Sequence, residues 1–406
     1  MSRLIPRLPL VGLPFCGFRG KFAPQTAAEN GKIRSVRRFD EPILVTRPYL
    51  PPLEDFKRGC EEVWRNQWLT NNGPLVKRFH SALAEYLKVP EANLALFNNG
   101  TLALELGFKA MGLFGAEVIT TPFTFVATSH ALRRIGARPV FADIDPETLC
   151  LSPSAAEKLI KPGITKAIVP VHVYGHVCDV GGFKSLGEKY GVKIIYDAAH
   201  AFGIPDVQTF GDMSMFSFHP TKLFHSCEGG LLVFKDAALQ QKLFDLRNFA
   251  IHGELLCTDI GTNAKMNELQ ALMGLECLKK IDDLLAYRRQ IYDAYASIFE
   301  SKSKCEVEQW KVTLLPFSAN HAYVPVLFDS FETRERVYAE LKERCNVFAR
   351  RYFYPLLTDF APYEYAKGNC PIAEDIARRV LTLPTYYGLS LDDVKSIAQN
   401  VLEIIG

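Results

Sequence analysis

The chain has 406 residues, 48% of them hydrophobic, with 47 basic against 45 acidic side chains and a formal charge of +2. That length accommodates two domains and a large core, and the balanced charge gives no basis for nucleic acid or an anionic membrane as the main partner. Ten cysteines without a CxxC pair argue against a zinc ribbon or a disulfide framework and favour a reducing compartment, so a cytoplasmic location is expected.

Residues 1–40 differ in composition from the rest of the chain. The first 39 carry eight basic residues and Glu29 as their one acid, with an apolar stretch too short to span a bilayer. Pro6, Pro9 and Pro14 would break the helix of a transit segment, so a disordered or loosely attached extension is expected. From about Pro42 the pattern becomes regular. WLTNNGP (68–74) is turn chemistry, and the helix after it carries Val76, Phe79, Leu83 and Tyr86 at helical spacing. NLALFN, EVITTP, RPVFADI, KAIVPVHVY, KIIYDAA and SMFSFH then read as short apolar strands, most of them separated by helices such as TLALELGFKAMG. This alternation predicts an α/β fold with a mostly parallel sheet covered on both faces, over residues 41–280. Beyond about Ile281, longer charged helices, a strand in AYVPVLF and a last helix after Ser390 predict a smaller C-terminal α+β domain, 281–406.

Ligands gather at the carboxyl ends of strands in such a sheet. Gly100-Thr101 follows the first strand and opens a helix, which suits a phosphate, although Thr101 could equally be a helix cap. Phe125 follows the second and could lie on a planar ligand or simply pack. Asp197 ends a buried strand, where a carboxylate needs a cationic partner or several hydrogen bonds. Lys222 stands in FSFHPTKLFHSCEGG, either snorkelling to solvent or desolvated, neutral and nucleophilic. One planar cofactor uses all four. Pyridoxal 5'-phosphate offers a phosphate, a ring, a pyridine nitrogen and an aldehyde for a lysine Schiff base.

NNGTLAL, TTPFTFVAT, PVFADIDPET, PVHVYGHVCDV, IIYDAAHAFG, SFHPTKLFHSCEGG and GTNAKMNELQALMGLECL, in this order, resemble the motifs of the DegT/StrS nucleotide-sugar aminotransferases. The resemblance covers about residues 45 to 400 and implies the aspartate-aminotransferase fold with pyridoxal phosphate. VTRPYLPPLEDF, WLTNNGP and the SFHxTK…EGG form look most like the branch that aminates C4 of dTDP-4-keto-6-deoxy-D-glucose with L-glutamate as donor. It also implies the roles. Lys222 is the Schiff-base lysine and acid/base, Asp197 holds the ring nitrogen, and Phe125 stacks on the ring. Gly100, Thr101 and Ser217 hold the phosphate. Asn263 completes the partner's phosphate site in a homodimer.

Three positions depart from the family pattern. His200 stands where many relatives have glutamine and is read as a substitute donor near the cofactor's ring oxygen. Ala264-Lys265 replaces a common Tyr-Arg, and Pro220 replaces alanine and stiffens the turn before Lys222. His172, His176 and Cys178 resemble spaced zinc ligands but lack a fourth, so no metal is expected. His219 and His225 could touch the sugar nucleotide or be packed, and Arg350-Arg351 could bind an anion or form a solvated face. Two alternatives stay open: amination of another nucleotide keto-sugar, UDP-linked or at C3, and a pyridoxal-phosphate-binding regulatory protein without turnover.

Overall fold

The computed structural model describes residues 36–303, 312–316 and 318–406. Residues 1–35, which make up most of the expected basic extension, lie outside the described residues. Residues 36–40 are packed: the Arg37 amide donates to Asn400 Oδ1 at 2.8 Å, and Phe39 is buried.

In chain order, the strands are β1 (Ile43–Leu44), β2 (Leu94–Phe97), β3 (Glu117–Thr120), β4 (Arg138–Phe141), β5 (Thr165–Val169), β6 (Lys193–Asp197), β7 (Met213–Ser217) and β8 (Gly230–Phe234). They continue with β9 (Ile251–His252), β10 (Leu256–Cys257), β11 (Val312–Leu314), β12 (Val324–Phe328), β13 (Val347–Phe348) and β14 (Val380–Leu383). The helices are α1 (Leu53–Asn66), α2 (Pro74–Leu87), α3 (Gly100–Ala110), α4 (Ala127–Arg134), α5 (Pro153–Glu157) and α6 (Val180–Tyr190). After these come α7 (Leu239–Leu246), α8 (Glu268–Leu278), α9 (Ile281–Ser303), α10 (Phe331–Glu343), α11 (Pro371–Arg379) and α12 (Leu391–Ile405).

Seven strands form the central sheet in the order β2-β8-β7-β6-β5-β3-β4, parallel except for β8, which runs antiparallel to both neighbours. The continuous apolar runs of these strands follow from burial on both faces. Side chains alternate between two cores as the pleat demands: Ala95, Phe97, Val118, Val169, Ile195 and Leu232 meet α3 and α4. Leu94, Leu96, Phe216, Leu231 and Val233 meet α2 and α8 on the other face. A second sheet, β11-β12-β14, is antiparallel and packs its Val324, Val326, Phe328 and Leu381 against α9, α10 and α12.

Two observations matter for the site. Because β8 is antiparallel between β2 and β7, β2 and β7 point the same way, and the carboxyl ends of β2, β3, β6 and β7 share one edge. The second concerns α2 and α8. The Glu268 carboxylate is buried and accepts the first amides of α2, Leu75 N at 2.8 Å and Val76 N at 3.0 Å. Gly73 permits this approach, since a Cβ there would come 2.6 Å from Glu268 Cδ. The negative carboxylate also sits favourably at the positive end of the α2 dipole.

Glu268→Ala should therefore lower the unfolding free energy by about 2–3 kcal/mol, the scale of charge-assisted hydrogen bonds lost with their amides left buried. Glu268→Gln, which keeps one acceptor oxygen, should lose less. The measurement is the urea midpoint at unchanged slope, and equal loss in both variants would show that the charge rather than the bonds matters.

Candidate active site

Strand ends bring the expected residues around one cavity of about 320 Å³. Gly100 and Thr101 line it from the start of α3, Phe125 from the β3–α4 loop, Asp197 and His200 from the end of β6, Ser217 from the end of β7, and Lys222 from the loop before β8. Seven of the eight expected residues thus meet, and Asn263 does not. Its side chain is exposed and outside the cavity lining, although the carbonyl of the next residue, Ala264, accepts the Asn98 amide at 2.8 Å.

Asn99, not Thr101, caps α3. Its Oδ1 accepts the Leu102 amide at 2.8 Å, and its carbonyl accepts that of Ala103 at 3.1 Å. Asparagine serves here because its side chain reaches back to the third helical amide from an extended backbone. The amides of Gly100 and Thr101 stay free, beside the hydroxyls of Thr101 and Ser217 at the positive end of the helix. The absence of a side chain at Gly100 keeps this cradle tight, since a Cβ there would sit 3.1 Å from Ser217 Cβ.

Asp197 lies on the cavity floor, 4% exposed. Thr128 Oγ1 donates to its Oδ2 at 2.6 Å and the Ala199 amide to its Oδ1 at 3.0 Å, and no cation among the described residues pairs with it directly. Burial therefore raises its pKa above the usual carboxylate value, against the pull of Thr128, the Ala199 amide and Lys222. Phe125, 58% exposed, lines the cavity rather than packing in the core.

Lys222 is partly buried, and its Nζ donates to Tyr323 Oη at 3.3 Å. Burial lowers the pKa of this amine, with Tyr352 and Asp197 pulling upward. The loop carrying it is pinched at its base, where the Phe218 amide donates to the Gly229 carbonyl at 2.9 Å. His200 is buried, and its Nδ1 accepts the Tyr174 amide at 3.1 Å. Burial first, then Lys222, hold this ring neutral, so its proton is on Nε2 and the ring has one donor to offer.

The other histidines separate. His219 lines the cavity and stands 3.6 Å from Glu228, whereas His225 is packed outside it, its Nε2 on the Tyr49 carbonyl at 2.6 Å. The His176 nitrogens bond the carbonyls of Thr148 and Pro316, and no group of three metal-ligating side chains occurs among the described residues. Arg350, left open by the sequence, lines the cavity, while Arg351 is engaged by Glu335. Sequence reasoning missed Thr128, Tyr323, Tyr352 and Phe353. Thr128 lay within a quoted motif, but nothing local marks its hydroxyl as the partner of a residue 69 positions away.

The model of the DegT/DnrJ/EryC1/StrS aminotransferases matches residues 53–402. The chain belongs to this family. The aminotransferase is 40% identical, over 90% of its length and 100% of the relative's, to a dTDP-4-amino-4,6-dideoxy-D-glucose transaminase of Shigella dysenteriae. Its fold matches DesI, solved in the presence of its TDP-sugar product, with TM-score 0.82 and 34% identity over 91% of this chain and 94% of DesI. It also matches NtdA of Bacillus subtilis, solved with bound cofactor PMP, with TM-score 0.79 and 28% identity over 87% and 82% of the two chains. The aminotransferase is pyridoxal-phosphate dependent.

The cavity fits that cofactor. A buried carboxylate without a cation calls for a protonated nitrogen, free helix amides with two hydroxyls call for a phosphate, and a desolvated amine calls for an aldehyde.

Because Asp197 holds its proton more tightly folded than unfolded, the native state loses stability as pH rises from about 3.9 through the raised value, and does not regain it above. Asp197→Asn removes this cost. The cofactor-free variant should resist urea better than the parent at pH 7, and the difference should vanish near pH 3. A variant weaker at pH 7 would mean that Thr128 and Ala199 stabilise the carboxylate more than burial penalises it.

Proposed function

We propose that this aminotransferase moves the amino group of L-glutamate to C4 of dTDP-4-keto-6-deoxy-D-glucose, giving dTDP-4-amino-4,6-dideoxy-D-glucose for glycan or lipopolysaccharide synthesis, as a cytoplasmic homodimer. The observation that carries this reading is the 40% identity over the full length of the Shigella dysenteriae transaminase. Absence of any described helix long and apolar enough to cross a membrane is compatible with it. In this reading residues 41–280 carry the cofactor residues, and residues 281–406 form the smaller domain that supplies Tyr323, Arg350, Tyr352 and Phe353 to the cavity.

Pyridoxal phosphate, when bound, supplies the electron sink and carries the amino group between the two substrates. The protein supplies position and protons. Gly100, Thr101 and Ser217 would hold the phosphate, Phe125 the ring face, and His200 Nε2–H the ring oxygen. Asp197 would keep a proton on the ring nitrogen, and that nitrogen in turn supplies the positive charge the buried carboxylate lacks. Lys222 Nζ, biased by burial toward its uncharged form, removes the proton from the reacting carbon of glutamate and returns one to C4 of the sugar. Asn263, exposed and outside its own cavity, would complete the phosphate site of the partner subunit.

Purified protein given glutamate and the dTDP-keto-sugar should place nitrogen on C4 by NMR, and an amine on C3 or turnover only of a UDP-sugar would overturn the assignment. Lys222→Ala should lose visible absorbance and about 10³-fold or more in turnover. Mixing inactive Lys222→Ala with inactive Asn263→Asp chains should restore activity, because one site in each mixed dimer has an intact lysine and an intact asparagine. Mixed dimers verified by mass that stay inactive would leave Asn263 without this role.

A further inference from the structure

Beside the active-site cavity lies a second, much smaller one of about 10 Å³, the room of a single water molecule. Its wall includes Thr46, Arg288, Tyr323, Tyr352 and Thr385. The hydroxyls of Thr46 and Thr385 are both buried with no hydrogen-bond partner among the described residues, and Thr385 is only 3% exposed. The backbone brings the two threonines together, since the Thr385 amide donates to the carbonyl of Val45, the neighbour of Thr46, at 3.0 Å. Arg288 fixes the same wall, its Nη1 donating to the carbonyls of Thr385 at 2.6 Å and Ala322 at 3.2 Å.

A buried hydroxyl left unpaired is costly, and two of them on one water-sized space call for an internal water. Tyr323, with Thr221 and Tyr352, lines both cavities. On the active-site side its Oη accepts from Lys222 Nζ, so the phenol still has its own proton to place.

We propose that the small cavity binds one water molecule, held by the hydroxyls of Thr46 and Thr385, which accepts the Tyr323 proton and so keeps the phenol oxygen turned toward the amine of Lys222. The two threonines are positioning residues that act on the lysine through the water and Tyr323. The catalytic importance of this relay rests on the reading of Lys222 given above, but the water site does not.

The first test is a high-resolution crystal structure of the full-length protein, which should show one ordered water within hydrogen-bond reach of both hydroxyls. The second is the titration of the Lys222 amine in the cofactor-free full-length chain, followed by the pH dependence of its modification by an amine reagent. The charged and titratable groups facing that amine are Asp197 and His200 from β6, His219 and Glu228 from its own loop, and Tyr323, Arg350 and Tyr352 from the second sheet's side. None of these is altered in Thr385→Val, which should weaken proton binding by Lys222 about threefold, as expected for a hydrogen bond loosened by half a kcal/mol or more. Thr385→Ser should match the parent. Tyr323→Phe should show at least the same loss, and Thr385→Val should add nothing in that background. Absence of the water, an unchanged titration in Thr385→Val, or an equal further loss on Tyr323→Phe would overturn the proposal. Full activity in Lys222→Ala would instead remove the catalytic reading and leave these results standing.

Discussion

A carboxylate buried at the end of β6 with one hydroxyl and one amide for company is the constraint on which the active site depends. Asp197 needs positive charge, and none of the described residues supplies it at contact distance. The surroundings are arranged so that the missing charge can arrive with the cofactor. The first amides of α3 line the same cavity, and the amine of Lys222 donates to Tyr323 rather than to the carboxylate. A carboxylate in such surroundings favours a ligand that brings a positive charge to it.

The lowered pKa of the lysine follows from the same logic. Desolvation favours the uncharged amine, while Tyr352 and then Asp197 oppose it. His200 is directed too, because the Tyr174 amide occupies its Nδ1 and leaves only a donor for the cavity. Phe353 stacks on this ring with an interplanar angle of 5°, so the donor's direction is fixed by aromatic packing as well as by the backbone. Geometry and protonation state are thus set by common contacts.

The parts of this design carried by chain-local pattern were legible in the sequence. Apolar runs bounded by turns marked β2 to β7, and the polar residues near their ends marked Gly100, Asp197 and Lys222. The two-residue strands β1 and β13 were not legible, because their pairing is between residues some 300 positions apart and no local period announces it. The same holds for Tyr323 and Phe353, ordinary aromatics until the second sheet is placed against the first. Thr101 looked like a cap by composition, yet Asn99 took the position because the chain enters α3 from an extended strand end. Local propensity sets which residues can cap, and tertiary direction chooses among them.

The antiparallel insertion of β8 has a consequence for how this enzyme can vary. The loop from Phe218 to Gly229 joins two hydrogen-bonded neighbours in the sheet interior, each paired on its other side as well, and its base is closed by the bond between those two residues. Gly230 packs against the Asn99–Gly100 backbone so closely that a Cβ would lie 2.4 Å from the Asn99 carbonyl oxygen. Neither strand can slip to absorb an added residue, because a one-residue slide would turn its two-faced core pattern inside out. The loop is anchored between its ends as well, with Phe218, Phe224, His225 and Ser226 buried, so sheet and core together fix where Lys222 meets the cleft.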